Sequence, residues 1–275
     1  MENVLFDSPS VGQDDIEQIY KLVVETARAG GEEASRARAE GVDVARTKVN
    51  HLDVVTAADI RTESLIRRML LSARPDDAFV GEESEPAPGG SGVTWFVDPI
   101  DGTVNYMYGD SAYAVSIAAY AGSVPIAGAI YSPGRNELWS AAHGHGAFLN
   151  GEAFTTPVSP SPDQPLFATV FDYDPGVRKN QADRFSDVAT SLRDLRALGS
   201  TALDLCRVAA GSVDCFFADT VNWWDVAAGV CIANEAGAEA FASWSPDSEK
   251  VICLAYNKCV DDSFVERFRL NEWVS

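Results

Sequence analysis

Three short runs hold most of the side chains in this sequence that could do chemistry. They are Phe79-Val80-Gly81-Glu82-Glu83-Ser84, Trp95-Phe96-Val97-Asp98-Pro99-Ile100-Asp101-Gly102-Thr103 and Trp223-Trp224-Asp225-Val226-Ala227-Ala228-Gly229. Each sets acids at the end of an apolar, strand-like run or at the start of a helix. Carboxylates so placed are costly to desolvate without a cationic partner, and few Lys or Arg residues lie near them in sequence. A hard divalent cation answers that need, and oxygen-only donors favour magnesium, with manganese as a substitute, over zinc. In the second run Pro99 stiffens the turn, and Gly102 permits an unusual backbone turn close to a ligand. Asp98 and Asp101 can then face one site, with the Ile100 carbonyl between them as a further oxygen. The N–H groups of Gly102 and Thr103 suit phosphate oxygens, and the Thr103 hydroxyl can orient a water. Such groups suit chemistry on a phosphate ester with a metal-activated water, for which no Ser or Cys nucleophile is needed.

The elements that must position these groups follow from periodicity and turn residues. Residues 1–13 read as a loose tail. Asp14 and Asp15 then open a helix carrying Ile16, Ile19, Tyr20, Leu22, Val23 and Ala27, which Gly30-Gly31 is expected to close. A second helix is expected from about Ala58 to Ala73, with Ile60, Leu65, Ile66, Met69 and Leu70 on its buried face. Strands are expected at Ala78–Val80 and Val93–Val97. An antiparallel hairpin should turn at Ala121-Gly122-Ser123, with further strands at Glu137–Ser140 and Ala147–Leu149. The proline-rich segment from Thr155 to Pro165 reads as a domain link. It divides an N-terminal α+β domain (1–155) from a C-terminal α/β domain (156–275). In the second domain, strands at Leu166–Phe171, Leu195–Leu198 and Val213–Phe217 alternate with helices at Asn180–Leu192, Ser200–Ala210 and Trp223–Ala236, which argues for an α/β layer sandwich.

Composition narrows the partners. The 41 acidic and 21 basic residues give a net charge of -20 over 275 residues, which repels nucleic acid and anionic membranes. A phosphate-bearing substrate is compatible with that charge only where bound cations invert the local field. The five cysteines form no CxxC pair and sit mostly in apolar segments, so they read as reduced, buried thiols. No charged-then-apolar leader opens the chain, and no apolar run approaches the roughly 20 residues of a membrane span. A soluble, cytoplasmic protein is expected.

The acid runs also carry a resemblance. Glu82-Glu83, DPIDGT beginning sixteen residues after Glu82, and WDVAAG resemble the inositol monophosphatase family of magnesium-dependent, lithium-sensitive phosphatases. The segment from Asp53 to Asp59 is similar to that family's DxVTxxD, GHGAFLNG to its GxGAFxNG turn, and ALGSTALDLCRVAAG to one of its helices. The resemblance runs from about Asp53 to the C-terminal helix and is strongest to the bacterial inositol-1-monophosphatase branch. It implies a layered αβαβα sandwich and two or three magnesium ions. Glu82, Asp98 and the Ile100 carbonyl would hold one ion, and Asp98, Asp101 and Asp225 a second. Glu82 would reach a weaker third through water. Thr103, oriented by Asp59, would help deprotonate the attacking water. Gly102, Thr103, Gly199, Ser200 and Thr201 would contact phosphate and substrate.

One position departs from the pattern. Inositol-specific members carry a Glu seven residues before the WD aspartate; here Ala218 stands there, with Asp219 next to it. Asp219 and Asp225 are the acids expected to meet a small phosphorylated polyol or sugar-like substrate. The alternative is a different ester, such as fructose 1,6-bisphosphate, histidinol phosphate or NADP. The resemblance further implies a homodimer, with the apolar hairpin as a contact. A reading from another class is a regulatory protein that binds the transcription machinery. Several other residues are read more plainly. His143 and His145 are polar turn residues, Trp224 packs beside the site, and Trp223 either packs or stacks on substrate. Glu83 is a ligand or a hydrogen-bonding neighbour, and Lys48 orients a loop or lies on the surface.

Overall fold

The computed structural model describes residues 11–41, 44–47, 54–161, 163–245 and 248–269. Lys48, His51 and Asp53 lie outside the described residues. Among the described residues no helix is long and apolar enough to cross a membrane.

Helix α1 (Gln13–Glu40) does not end at its glycine pair. Gly30 and Gly31 are buried inside it. A Cβ on Gly31 would run into the Tyr131 ring, and one on Gly30 would lie 2.9 Å from Ile66. The glycines thus permit close packing, at a cost in helix propensity. A short antiparallel pair, β1 (Val44–Thr47) and β2 (Val54–Thr56), leads to α2 (Ala57–Ala73). Thr56 and Asp59 form a capping box at its start. The buried face of α2 is Ala58, Asp59, Thr62, Glu63, Ile66 and Leu70, whereas Ile60 is 41% exposed. The expected apolar stripe is therefore rotated: the inward face carries two carboxyl groups, Asp59 in the capping box with Thr56 and Glu63 bonded to the Glu83 N–H.

Seven strands follow, with a short helix among them: β3 (Ala78–Gly81), β4 (Val93–Asp101), α3 (Thr103–Tyr108), β5 (Ala114–Ala121), β6 (Val124–Ser132), β7 (Glu137–Ala142), β8 (Gly146–Leu149) and β9 (Glu152–Phe154). They form one sheet in sequence order, parallel only between β3 and β4. The β5–β6 hairpin turns at Gly122-Ser123, and every residue of both strands is buried. Since α1 packs on these strands from one side and α6 from the other, the hairpin offers no face for a second subunit. That corrects the contact expected there. At the turn before β8, Gly144 and Gly146 donate N–H groups to the Glu235 carboxylate, each at 2.9 Å, and the His145 ring meets Gln13.

The rest of the chain is β10 (Leu166–Thr169), α4 (Pro175–Ala189), β11 (Asp194–Arg196), α5 (Thr201–Ala209), β12 (Cys215–Val221), α6 (Trp223–Ala236), β13 (Glu239–Trp244), β14 (Val251–Tyr256) and α7 (Asp262–Arg269). Helix α4 starts earlier than its apolar pattern suggests. Asp174 caps it by accepting from Gly176 and Val177 N–H groups, and Pro175 takes the first helical position. The second sheet has the order β11-β10-β12-β14-β13, with β14 antiparallel to both neighbours. Neither β13 nor β14 was expected from the sequence.

Three apolar clusters stack the layers. Ile16, Ile19 and Val23 of α1 and Ile66 and Leu70 of α2 meet Trp95, Val97 and Ile117 on one face of the first sheet. Leu203, Leu205, Val226 and Ile232 of α5 and α6 fill the space between the sheets, against Ala118, Ile130 and Phe216. Val188 of α4 and Phe264 and Phe268 of α7 cover Phe167, Phe217 and Leu254 on the outer face. The result is a five-layer αβαβα sandwich. All five cysteines are free, and four are buried.

Candidate active site

Residues three apart on a regular strand point to opposite faces. Asp98 and Asp101 escape this rule because β4 is bulged between them. Asp98 pairs with Ser116 and Asp101 with Ala114, so three steps along β4 match two along β5. One inserted residue restores a common face, and a bulge is where a strand tolerates a residue such as Pro99. The chain then turns at Gly102, whose φ is +90°, and α3 begins. A Cβ there would lie 3.0 Å from the Ala112 and Gly199 carbonyl oxygens. Asn105 ties the same region together by donating to the Ala112 and Leu198 carbonyls at 2.8 and 2.7 Å.

Glu82 follows β3, the parallel neighbour of β4, and its N–H donates to the Val97 carbonyl at 3.2 Å. The Glu82 and Asp98 carboxyl groups share a hydrogen bond. Behind this loop stands Glu63 of α2, 2% exposed, which accepts the Glu83 N–H at 2.7 Å and also bonds the Ser84 side chain. Gly81 leaves room for it: a Cβ there would lie 2.5 Å from the Glu63 carboxylate. Sequence reading missed Glu63, although its place one turn beyond Asp59 on α2 was the available signal. Glu63→Ala should therefore loosen the Glu82 loop and raise the half-saturating magnesium concentration about ten- to hundredfold. A magnesium titration of phosphate release checks this; circular dichroism should show the fold retained.

Asp101 is seated on the start of α5. Its carboxylate accepts from the Ser200 hydroxyl and from the Thr201 and Ala202 N–H groups, the last two at 3.2 and 2.8 Å, where the helix dipole favours negative charge. Asp225 lies in the first turn of α6 and accepts the Asn222 N–H at 2.7 Å and its amide Nδ2 at 3.3 Å. Asp98 accepts the Ile100 N–H at 2.9 Å.

Glu82, Asp98, Ile100, Asp101, Gly102, Thr103, Gly199, Thr201 and Asp225 line one cleft of about 420 Å3. Three expected residues are not among its lining. Ser200 is buried and turned to Asp101, so it reaches the cleft only through that carboxylate. Asp59 is 1% exposed and accepts from the Thr56 N–H and hydroxyl at 2.8 and 2.5 Å, while Thr103 donates to the Ile100 carbonyl at 3.1 Å. The expected Asp59–Thr103 contact is not made, since each side chain has found a partner within its own turn. Asp219 pairs with Arg184 at 2.6 Å and accepts from Gln181 at 2.6 Å. It is held by α4 and does not face substrate. Trp224 also lines the cleft, whereas Trp223 packs against Phe96, Tyr120 and Trp244. Lys250, Asn222, Thr220, Tyr173 and Asp172 also line it and were not anticipated.

The electrostatics are those of acids held together in a dry place. Burial, reinforced by the charges of Glu82, Asp101 and Asp225, pushes Asp98 well above the carboxylate range. Burial lifts Asp225 to about 8, with Glu82 adding and Lys250 opposing. Asp59 rises to about 7 by burial against its Thr56 bonds, and Asp101 to about 6 by burial against its α5 donors. Among the described residues no three acidic, His or Cys side chains are gathered into a ready ligand shell; each aspartate leans on local donors instead. The donor set nevertheless fits a hard divalent cation: oxygen ligands only, buried, mutually repelling, and opposed by one lysine.

These shifts fix a pH dependence. The folded chain holds these protons more tightly than an unfolded Asp with a pKa of about 3.9. Stability without metal therefore falls as pH rises from about 4 through the folded values, about 6 for Asp101, about 7 for Asp59 and about 8 for Asp225. Thermal melts in EDTA should show this decline between pH 5 and 9. Magnesium should reduce it, because a cation stabilises the ionised forms.

The model of the inositol monophosphatase family matches residues 15–252. This chain belongs to that family. It is 41% identical over 213 residues to the inositol-1-monophosphatase SuhB of Mycobacterium tuberculosis, covering 74% of this chain and 73% of that protein. It is 32% identical to inositol monophosphatase 1 of Solanum lycopersicum, covering 94% and 98%. Among solved structures, SuhB of Bartonella henselae superposes with a TM-score of 0.81 at 30% identity, covering 93% and 98%. Mycobacterium tuberculosis SuhB does so with 0.80 at 34%, covering 94% and 98%. As a member of a metal-dependent phosphatase family, the chain is a phosphomonoester hydrolase.

Proposed function

We propose that this inositol monophosphatase family member is a magnesium-dependent phosphomonoesterase for small phosphorylated polyols or sugars, working by direct attack of water on phosphorus. The observation that carries the reading is the convergence of Glu82, Asp98, Asp101 and Asp225, from three separated runs of chain, on one cleft. Asp98, Asp101, Asp225, Glu82 and the Ile100 carbonyl would hold two or three magnesium ions, with manganese as a substitute. Bound divalent cations neutralise the phosphoryl oxygens and lower the pKa of water. The protein's own part is to position. The bulge in β4 presents two carboxylates side by side, α5 fixes Asp101, and Asn222 fixes Asp225. The Gly102 and Thr103 N–H groups would meet phosphate oxygens, and the Thr103 hydroxyl, which donates to the Ile100 carbonyl, would orient the attacking water. Homodimerisation, through a surface other than the β5–β6 hairpin, and a cytoplasmic location that keeps the thiols reduced belong to the same proposal.

Relatives named inositol-1-monophosphatase make inositol 1-phosphate the first ester to test. A panel of a dozen phosphomonoesters with magnesium, compared by kcat/KM, tests the reading. Phosphate release that needs magnesium and is blocked by lithium is the expected result. Release from none of the esters would refute it.

A further inference from the structure

The wall that the second sheet lends to the cleft carries a charge the hydrolysis does not use. Asp172 and Tyr173 after β10, Thr220 and Asn222 at the end of β12, and Lys250 at the entry to β14 line it. Lys250 is the one cationic side chain among the described residues of the lining, which also includes five carboxylates: Glu82, Asp98, Asp101, Asp172 and Asp225. The end of β12 offers no free acid to the cleft. Ala218 is 2% exposed within the core between the sheets, and Asp219 is neutralised by Arg184.

The Lys250 ammonium is aimed by a specific contact. It donates to Asn222 Oδ1 at 3.0 Å, and this sets the amide so that Nδ2 faces Asp225 at 3.3 Å. An ammonium has three donors, and Asn222 takes one. The others are available to a ligand in the cleft. An anion entering here would be repelled by Asp172 and Asp225 unless a fixed cation answered it, and a charge-assisted hydrogen bond from Lys250 does so. A cleft of about 420 Å3 is large enough for a small phosphate ester with a second substituent.

We infer that Lys250 makes this cleft selective for phosphomonoesters whose carbon skeleton carries a second anionic group, a carboxylate or a second phosphate. The inference rests on the phosphomonoesterase reading and narrows its substrate class. Wild type, Lys250→Met and Lys250→Arg are compared with magnesium on three esters. Fructose 1,6-bisphosphate supplies a second phosphate, 3-phosphoglycerate a carboxylate, and inositol 1-phosphate neither. The readout is the ratio of kcat/KM for each doubly anionic ester to that for inositol 1-phosphate, in which any shared effect on Asp225 cancels.

At least one ratio should exceed unity in the wild type and fall about ten- to hundredfold in Lys250→Met, the value of one charged hydrogen bond. Lys250→Arg should hold it within about threefold. The arm that responds identifies carboxylate or phosphate. Ratios unmoved by Lys250→Met, with all esters slowed alike, would assign the lysine to holding Asn222 and Asp225 and overturn the inference. A wild type that releases phosphate from none of the three, nor from p-nitrophenyl phosphate, overturns the phosphomonoesterase reading itself.

Discussion

Asp98→Asn is expected to lower turnover by about a thousandfold or more while leaving the metal-free protein at least as stable as the wild type. The two halves of this expectation come from one cause. Asp98 is 3% exposed, and burial, with three neighbouring acids, raises its pKa far above the ordinary value. An asparagine keeps an oxygen to accept the Ile100 N–H, which Asp98 accepts at 2.9 Å. It removes the negative charge for which folding supplies no protein cation. Binding of a divalent cation, by contrast, depends on that charge, because a neutral amide is a weak ligand beside a carboxylate. Phosphate release at saturating magnesium and thermal melting in EDTA read the two effects separately. An active Asp98→Asn protein would sink the metal-centre account. A variant that loses activity because it unfolds would remove its electrostatic basis.

Gly102→Ala should damage fold and activity together. At φ +90° an L-residue costs about 1–2 kcal/mol, and the added methyl would press on two carbonyl oxygens 3.0 Å away. Those carbonyls belong to Ala112, before β5, and to Gly199, before α5. Separating them moves Asp101 off its α5 donors. A total loss of about 2–3 kcal/mol in stability is expected, with roughly a hundredfold fall in kcat from the misplaced turn. Denaturant unfolding and initial rates measure both. Gly122→Ala is the matched control. Its φ is +60°, but nothing lies within 4 Å of the added carbon, so it should show the backbone cost without the loss of rate.

Glu82, Asp98, Asp101 and Asp225 were legible in sequence because their signal is local, whereas Asp172, the fifth acid of the cleft, was not. A carboxylate at the end of an apolar run is conspicuous whatever surrounds it, and the Pro-x-Asp-Gly turn announces a backbone departure. What the sequence could not convey was which partner each group would choose. Asp219 looks like a substitute for a missing substrate acid until Arg184, thirty-five residues away, is seen to hold it. Ser200 looks like a phosphate contact, yet it caps α5 and bonds Asp101 in one gesture. Thr103 and Asp59 belong to neighbouring elements but bond within their own turns.

The fold shows the same division. Helix α6 is legible to the residue, since its capping box and closing Gly237 are written locally. Gly30 and Gly31 carry the punctuation of a helix end and serve instead as a packing surface for Tyr131 and Ile66. On α2 the usual assumption that apolar residues face inward fails where Asp59 closes the capping box and Glu63 holds the Glu83 N–H. The strands β13 and β14 were missed outright, and with them the setting of Lys250.

The central claim is that these carboxylates form a metal-dependent site for phosphate ester hydrolysis. Stripping the protein with EDTA, removing the chelator and restoring magnesium stepwise, while following phosphate release from inositol 1-phosphate and fructose 1,6-bisphosphate, tests it most directly. The account predicts no release before magnesium, saturable recovery after it, and no recovery in Asp225→Asn at any magnesium concentration. Release at full rate in the stripped protein, or full recovery in Asp225→Asn, would contradict it.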